Sequence, residues 1–180
     1  MGGLVDETRQ ALRDPRLHAP SPREIDDDRG GNRSMLSQKA RYALRAMIEL
    51  ARAESQVTAG ALAERADAPR KFLEAILLSL ARQGLVTSHR GKFGGYRLGR
   101  AAGEISFAEV IRLVDGPLAL APCVSRTAFR RCEDCRDIVT CALREALLRA
   151  RDATAEVLEG YSLADAVAGA GAELLEAPPA

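Results

Sequence analysis

The chain has 180 residues, of which 47% are hydrophobic and 28% are charged, and this composition indicates a soluble globular protein of one domain or two small ones. No run of 18 apolar residues occurs, which excludes a transmembrane helix, and the N-terminus lacks the apolar region of a secretory signal. These features predict a cytoplasmic protein without contact to a membrane.

The formal net charge of +1 hides an uneven distribution along the chain. Residues 36–100 carry 12 basic and 5 acidic side chains, a net charge of +7, whereas residues 101–180 carry 8 basic and 13 acidic ones, a net charge of −5. A basic segment joined to an acidic one suggests that only the first meets a polyanion such as a nucleic acid. The alternative is that charge simply varies along the chain.

The N-terminal part divides into a leader and a first helix. Residues 1–34 combine Pro, Gly, Ser and a run of acids without apolar periodicity, which predicts a disordered leader. From Leu36 to Ala53, apolar residues recur at intervals of three and four, as is typical of an amphipathic helix, and Ser37 is a candidate N-cap.

Two further helices are predicted before residue 85. Thr58 is placed to cap the segment AGALAERAD, and Pro69 suits the start of RKFLEAILLSLARQ, which Gly84 ends. Apolar spacing predicts that the inner side of this third helix consists of Phe72, Leu73, Ile76, Leu77 and Leu80.

A β-hairpin is predicted next, because two short strand patterns, Leu85–Thr87 and Tyr96–Leu98, flank the glycine-rich basic stretch HRGKFGG. A loop that only turns the chain needs Gly or Asn, not Arg90 and Lys92. Three helices followed by a hairpin with a basic tip predict a mainly α winged helix-turn-helix. The alternative is a small helical domain that merely ends in a hairpin.

This fold predicts which residues contact double-stranded DNA. The second helix of a helix-turn-helix enters the major groove with its N-terminal end first, and a wing reaches the minor groove or its phosphates. Glu74 is equally suited to be a solvated surface acid, and Tyr42 is equally suited to the core. The candidate DNA-binding residues are Lys39, Arg41 and Tyr42 on the first helix, Arg70, Lys71 and Glu74 on the third, and Arg90, Gly91 and Lys92 in the wing.

The C-terminal half is predicted to join a cysteine loop to a long helix. Ser106 is a candidate cap for FAEVIRLVDG, a long helix with one apolar stripe is predicted from about Cys141 to Glu159, and SLADAVAG predicts one short helix more. A long amphipathic helix beside a small domain is typical of dimerisation, although it could pack on its own chain. The predicted domains are the leader (1–34), a DNA-binding domain (35–100), the cysteine loop with dimerisation helices (101–168) and a flexible tail (169–180).

All four cysteines lie within 19 residues, CVSRTAFRRCEDCRDIVTC. Cys123, Cys132, Cys135 and Cys141 have the spacing C-x8-C-x2-C-x5-C, and the last falls at the predicted start of the long helix. Thiolates are the soft ligands that an iron–sulfur cluster of the 2Fe–2S or 4Fe–4S type needs, and a helix N-terminus favours their negative charge. Structural zinc, a thiol–disulfide switch and four inert cysteines are the alternatives.

Three stretches of the chain carry a family likeness. MLSQKARYALRAMIELA, RKFLEAILLSLARQGLV and HRGKFGGYRL resemble the Rrf2 family of regulators, which includes IscR, NsrR, RirA and CymR, and the likeness runs from about Met35 to Ala168. The family's wing usually reads RGPGGGY, where this chain has RGKFGGY. The resemblance implies a dimeric winged-helix transcription factor, and many members hold an iron–sulfur cluster in a loop before the dimerisation helix.

The cysteine spacing departs from the pattern that the resemblance implies. Cluster-binding members typically use three cysteines, with five to eight residues between the first two and five between the last two. Cys135 and Cys141 match the final pair, whereas Cys123 and Cys132 match the first gap. Some members ligate through a histidine three residues after the last cysteine, where this chain has Arg144, which cannot serve. The simplest hypothesis is that all four cysteines ligate one cluster.

Together these observations predict a DNA-binding transcription regulator, expected to act as a repressor, whose affinity is controlled by a cluster or by thiol oxidation in the cysteine loop. The implied partners are an operator in double-stranded DNA and a second copy of the chain. The alternatives are a zinc-stabilised or cluster-free regulator and an iron–sulfur electron-transfer protein. An enzyme is not predicted, because no phosphate-binding loop, G-x-S-x-G or metalloprotease motif occurs.

Overall fold

The structure, a computed structural model, describes residues 36–91 and 94–169. Its elements in chain order are α1 (Gln38–Arg52), α2 (Ala59–Arg65), α3 (Arg70–Arg82), β1 (Val86–His89), β2 (Gly95–Leu98), α4 (Phe107–Asp115), α5 (Ala142–Glu159) and α6 (Leu163–Ala168), with one-turn 3-10 helices at Ala102–Glu104 and Pro122–Val124. The predicted leader, Lys92 and residues 170–180 of the predicted tail lie outside the described residues.

Side-chain caps begin the helices where the sequence predicts them. Ser37 Oγ accepts from the N–H of Ala40 (3.1 Å), and Thr58 and Ser106 cap α2 and α4 in the same way. The N–H of Ser37 also donates to the carboxylate of Asp115 (3.0 Å), which ties the start of α1 to the end of α4. The predicted helices and these caps are confirmed, with bounds that differ by at most two residues.

One hydrophobic core joins α1, α2, α3, α4, α6 and the hairpin. Fully burying a side chain of Leu, Ile or Met size contributes about 1.5–3 kcal/mol, so this cluster dominates the stability of the fold. The largest fully buried side chains in it are Met47, Leu62, Leu73, Ile76, Leu77, Leu80, Leu85, Val86, Ile105, Val110 and Leu163.

The chain returns to this core after α5. The N–H of Leu163 donates to the carbonyl of Ile105 (2.9 Å), and the N–H of Phe107 donates to the carbonyl of Tyr161 (2.9 Å). Leu163 is fully buried, and α6 packs on α1. The C-terminal end of α5 is therefore fixed to the helices that carry the predicted DNA-binding surface. None of the described helices has both the length and the apolar character that crossing a membrane requires.

Phe72 corrects the predicted inner side of α3. Its side chain is 44% exposed, whereas the other four predicted residues are fully buried. Because successive helical residues are turned by about 100°, Phe72 lies roughly a quarter-turn from the buried stripe. Its ring meets the ring of Tyr42 edge-on, with the centroids 6.0 Å apart. Phe72 therefore packs at the edge between α1 and α3 and not in the core.

The predicted hairpin is present, with Val86 opposite Leu98 in an antiparallel pair. Val57, an extended residue that the sequence analysis did not assign to a strand, exchanges two backbone hydrogen bonds with Tyr96 (3.0 and 2.8 Å). Gly95 permits this approach, because a Cβ there would lie 2.7 Å from the carbonyl oxygen of Val57. The described residues thus form a winged helix-turn-helix that continues into a long helix, and the predicted mainly α fold class is confirmed.

Candidate DNA-binding face and cysteine cavity

The turn between α2 and α3 exposes the first turn of α3. Asp67 follows the end of α2 with a φ of 49°, the left-handed conformation in which helices often end. The N–H of Ala68 then donates back to the carbonyl of Ala63 (3.0 Å), and Pro69 is the N-cap residue of α3. Arg70 and Lys71 follow with exposed side chains. This is the end of the helix that a helix-turn-helix inserts into the major groove.

A groove of about 580 Å³ brings Tyr42 of α1 together with Arg70 of α3. Arg70 Nε donates to a carboxylate oxygen of Glu74 (3.0 Å), and these side chains are 68% and 42% exposed. An exposed helical ion pair of this kind is worth only about 0.3–0.5 kcal/mol. A DNA phosphate can therefore compete with Glu74 for Arg70 at little energetic loss.

The remaining candidate DNA-binding residues lie on α1 and in the wing. Lys39 and Arg41 are half-buried on α1, and Arg90 is exposed directly after β1. Gly91 has a φ of 115°, a conformation that favours glycine over residues with a side chain. Of the predicted set, the structure thus brings Tyr42 and Arg70 together at the groove, and Glu74 is paired with Arg70.

Apolar side chains on the outer side of α3 were not among the predicted contacts. Phe72, Ala75 and Leu78 are exposed on this helix, in the turns that follow Arg70. Apolar side chains on a recognition helix can contact the methyl group of thymine. The one sequence signal for such contacts is the presence of apolar residues beside the basic residues of this helix. Apolar spacing alone assigned Phe72 to the core instead.

All four cysteines line one cavity of about 400 Å³ beside the start of α5. Cys123 is buried in the 3-10 turn Pro122–Val124, whereas Cys132, Cys135 and Cys141 are partly exposed. Burial raises the pKa of the Cys123 thiol, and so do a hydrogen bond with Cys132 and the proximity of its charge. In this conformation Cys123 is therefore held as the neutral thiol, directly against Cys132.

Backbone hydrogen bonds shape the loop around the cavity. The N–H of Cys135 donates to the carbonyl of Cys132 (3.2 Å), which closes a turn between these two cysteines. The N–H of Arg130 donates to the carbonyl of Pro122 (3.2 Å), which brings the Cys132 segment back to the turn of Cys123. Cysteines separated by eight residues in sequence thereby become neighbours.

The last part of the loop leads Cys141 to the start of α5. Asp137 accepts from the N–H of Val139 (2.9 Å) and from the hydroxyl of Thr140 (2.8 Å), and these bonds hold the pKa of the Asp137 carboxyl below its ordinary value. Cys141 is the N-cap residue of α5, and no side chain caps this helix. The partial positive charge of a helix N-terminus therefore faces the cysteine cavity.

The four cysteine sulfurs that line the cavity are possible ligands for a single metal ion or for a cluster, and these two groups place different requirements on the ligands. A structural zinc ion needs four ligands converging on one point at about 2.3 Å for sulfur. Among the described residues, no three His, Cys, Asp or Glu side chains converge closely enough to hold one metal ion. The cavity volume is instead in the range of small-molecule sites, roughly 300–1,000 Å³. Four soft donors around such a volume fit a polynuclear group better than one ion.

Arg151 ties the turn of Cys123 to α5. Its Nη1 donates to the carbonyl of Val124 (2.6 Å), while Nε and Nη2 donate to one carboxylate oxygen of Asp152 (2.9 and 2.6 Å). Arg126 of the loop donates to the same oxygen (2.8 Å). The Arg151 side chain is only 13% exposed, whereas Asp152 and Arg126 are 47% and 67% exposed, so only the Arg151 end of this clamp is shielded from solvent. Nothing local in the sequence marks the links to the loop, because Val124 lies 27 residues from Arg151 and Arg126 lies 26 residues from Asp152.

Replacing Asp152 by Asn is expected to lower the free energy of unfolding at neutral pH, with an effect that fades in acid. The hydrogen bond from Arg151, followed by that from Arg126, holds the pKa of the Asp152 carboxyl below its ordinary value of 3.8. A lowered pKa in the folded state gives stabilisation that is complete above the unfolded-state value and is lost as the pH falls through the folded-state value. Urea unfolding of both proteins from about pH 6 to about pH 2.5 measures this difference.

The matched control is the same comparison in an Arg151→Met background. There the effect of Asp152→Asn should be smaller at neutral pH, since the principal donor is gone. An effect of Asp152→Asn that is as large at about pH 2.5 as at about pH 6 would contradict this account.

Comparisons with known proteins concern both the candidate DNA-binding face and the cysteine cavity. The sequence model of the Rrf2 family, described as an iron-dependent transcriptional regulator, matches residues 36–169. The chain belongs to the Rrf2 family. An rrf2-like HTH-type transcriptional regulator of Rhodobacter capsulatus is 39% identical to it over 149 residues, which are 79% of this chain and 99% of that protein.

Two solved structures of Rrf2-family proteins resemble this one. CymR, the global cysteine regulator of B. subtilis, is 33% identical with a TM-score of 0.61, and the match covers 74% of this chain and 95% of CymR. IscR of T. potens is 27% identical with a TM-score of 0.59, and the match covers 75% of this chain and 87% of IscR. This protein is accordingly a DNA-binding transcriptional regulator, and its relatives are regulators rather than enzymes, as predicted.

Proposed function

We propose that this Rrf2-family regulator binds its operator as a homodimer, and that an iron–sulfur cluster held by Cys123, Cys132, Cys135 and Cys141 controls its affinity for DNA. The observation that carries the proposal is that all four cysteines of the chain line one cavity at the uncapped start of α5. Relatives support the general role, since the family is described as iron-dependent and includes IscR.

The chain supplies this cavity with soft donors and with positive charge. Four thiols are available as ligands, and Arg136, Arg144 and the first N–H groups of α5 offer positive charge to an anionic occupant. A bound cluster would supply an anionic group that responds to iron, to oxidants and to electrons. Because Cys123 is buried and protonated in this conformation, it must lose its proton before it can ligate.

A conformational change in the cysteine loop can be transmitted to the predicted DNA-binding face through α5. At one end, Arg151 of α5 holds the carbonyl of Val124 in the turn of Cys123. At the other end, Glu159 pairs with Arg112 of α4, and the chain then bonds to Ile105 through Leu163. A loop that orders around its ligand therefore changes the angle of α5 relative to the helices of the DNA-binding face. Coupling of this kind is typically about 1–3 kcal/mol, or roughly 5- to 150-fold in affinity.

The outer side of α5 supports a homodimer. Leu143 and Val157 are 72% and 68% exposed on this helix. Between them, alanines recur at intervals of four and three, which is the spacing of one seam of a coiled coil, and small residues let two helices approach closely. We name this set the α5 stripe: Leu143, Ala146, Ala150, Ala153 and Val157. A second copy of the chain would cover it and set two recognition helices on one operator.

Purification without oxygen, followed by a visible spectrum and assays of iron, sulfide and zinc on one sample, tests the proposed cofactor. We expect visible absorption with equal iron and sulfide, and DNA affinity that changes when the cluster is removed, measured on a duplex enriched from a random library. Each cysteine is then replaced singly by Ala. Loss of colour in all four variants supports the four-cysteine set, whereas colour that survives in three of them contradicts it. A colourless sample holding one zinc per chain would replace the cluster by a structural ion.

A second candidate is a metal-free thiol switch, favoured by the hydrogen-bonded contact between Cys123 and Cys132. Oxidation by a peroxide would remove two electrons and two protons from this pair and form one disulfide bond, with the peroxide reduced to water. A protein that stays colourless after attempted reconstitution, but loses the mass of two hydrogens and changes DNA affinity on peroxide treatment, would select this candidate. A Cys135→Ala variant should still form the bond, and a Cys132→Ala variant should not.

A further inference from the structure

Leu78 lies on the exposed side of α3, away from the hydrophobic core. Its side chain is 54% exposed. Among the described residues, it is neither part of that core nor one of the side chains packed against it. Phe72, which is also exposed on α3, differs because its ring packs on the ring of Tyr42. A single exposed leucine is common on protein surfaces, so its position on the helix decides whether it has a function.

Leu78 continues the line of Lys71 along α3. Because each helical residue turns by about 100°, residues seven apart differ in direction by only about 20°, and Ala75 lies about 40° from Lys71. All three side chains are exposed, whereas Leu73 and Leu80 on the opposite side of the helix are fully buried. We name this set the outer stripe of α3: Lys71, Ala75 and Leu78.

The outer stripe of α3 fits the major groove of DNA in size and in chemistry. Lys71 and Leu78 lie about 10 Å apart along the helix axis, within the groove's width of about 12 Å. Lys71 offers a cation to a phosphate or to a guanine edge, and the small side chain of Ala75 lets the helix approach closely. Leu78 offers an apolar group, and the C5 methyl of thymine is the apolar feature that base edges present there.

We propose that Leu78 is a specificity-determining residue, which contacts the C5 methyl group of one thymine in each operator half-site. This contact requires the operator binding of the proposed function but no cluster. At the same place a cytosine presents an N4 amino donor and no methyl group. A leucine would leave that donor without a hydrogen-bond partner, so thymine is favoured over cytosine.

Replacing thymine by deoxyuracil removes this methyl group and keeps the pairing with adenine. The full chain, in reduced form, enriches duplexes from a random library, once metal-free and once after reconstitution. A duplex is thereby obtained whichever form binds DNA. Each thymine of that duplex is then replaced by deoxyuracil, one position at a time in both half-sites together, and the affinity is measured by fluorescence anisotropy.

In the wild type we expect one sensitive position in each half-site, with affinity about fourfold lower for each methyl group removed. In Leu78→Ala the same replacement should have almost no effect, because the side chain that covers the methyl group is gone. Leu78→Met keeps an apolar side chain of similar length and should keep most of the sensitivity. Leu120→Ala is the matched control, because Leu120 is 52% exposed and lies outside α3. It should keep all of the sensitivity.

A wild type that tolerates deoxyuracil at every position overturns the contact, and so does a sensitivity that is equally large in Leu78→Ala. Affinity that Leu78→Ala loses equally on thymine and deoxyuracil duplexes also overturns it, since a contact of that kind reads no methyl group. Alanine is the best helix former and Leu78 is exposed, so the variant keeps the fold, which far-UV circular dichroism checks.

The outcomes also separate this contact from the proposed function. If neither form of the protein enriches a duplex, operator binding fails and the contact fails with it. If a duplex is enriched but the protein binds no cluster, the proposed cofactor fails, while the deoxyuracil replacements still decide the role of Leu78.

Discussion

Replacing Arg70 and Lys71 together by glutamine is expected to weaken binding of the protein to its operator duplex by about 100-fold, since contacts of this kind are worth roughly 1–3 kcal/mol each. Both side chains are exposed on the first turn of α3, the end that a helix-turn-helix presents to the bases and their phosphates. The slope of log affinity against log salt should also fall by about 1 for each phosphate contact that is lost. Fluorescence anisotropy between about 50 and 200 mM salt measures both quantities.

The control for this experiment removes the same net charge from other exposed positions. Arg82 lies in the last turn of α3 and Arg149 on α5, so the Arg82→Gln, Arg149→Gln variant should bind nearly as the wild type does. If the Arg70→Gln, Lys71→Gln variant keeps the affinity and the salt slope of the wild type, the first turn of α3 does not contact DNA. A Glu74→Gln variant provides a further check, because it releases Arg70 from its ion pair and should not weaken binding.

Changing Ala153 to Glu is expected to convert the proposed homodimer to a monomer at micromolar concentration. Ala153 lies within the α5 stripe and is exposed in the single chain, so a glutamate there does not disturb the fold of the monomer. In a symmetric dimer, each copy would bring a carboxylate into the apolar seam. Like charges brought together at an interface cost several kcal/mol, which weakens association by about 1,000-fold for 4 kcal/mol. Sedimentation equilibrium measures the change in mass.

Arg82→Glu is the matched control, because it introduces the same side chain on an exposed helical position outside α5. This variant should sediment as the wild type does. An Ala153→Glu protein that keeps its helical content and still sediments as a dimer would place the dimer interface elsewhere. The variant should also bind the operator less tightly than the wild type, because a monomer reads only one half-site.

Local chemistry accounts for the parts of the fold that sequence reasoning could predict. The starts of α1, α2 and α4 follow from the hydroxyl groups of Ser37, Thr58 and Ser106, which satisfy N–H groups within three residues. Apolar spacing likewise predicted the buried side of α3, except for Phe72. Periodicity marks the centre of an apolar side well but not its edge, where a large ring can pack on a neighbouring helix instead.

The parts of the fold and of the site that could not be predicted depend on pairs of residues that are far apart along the chain. Val57 joins the wing because Gly95 admits its carbonyl, and the two residues are separated by most of the helix-turn-helix. Arg151 reaches Val124 only because the whole cysteine loop folds back on α5. Arg144 shows the same limit in the cysteine cavity. The sequence shows that this residue cannot ligate a metal, but only the folded loop shows that its Nε is buried without a hydrogen-bond partner among the described residues.

The return of α6 to α1 has a consequence for synthesis of the chain. Leu163 completes the core around α1, yet it lies more than a hundred residues after the end of that helix. At about 5–20 residues per second, translation leaves the apolar side of α1 incompletely covered for roughly 5–20 s. A nascent chain that stopped in the cysteine loop would keep this surface exposed to chaperones and proteases. Only a polypeptide translated through Leu163 can therefore complete the core that supports its DNA-binding helices.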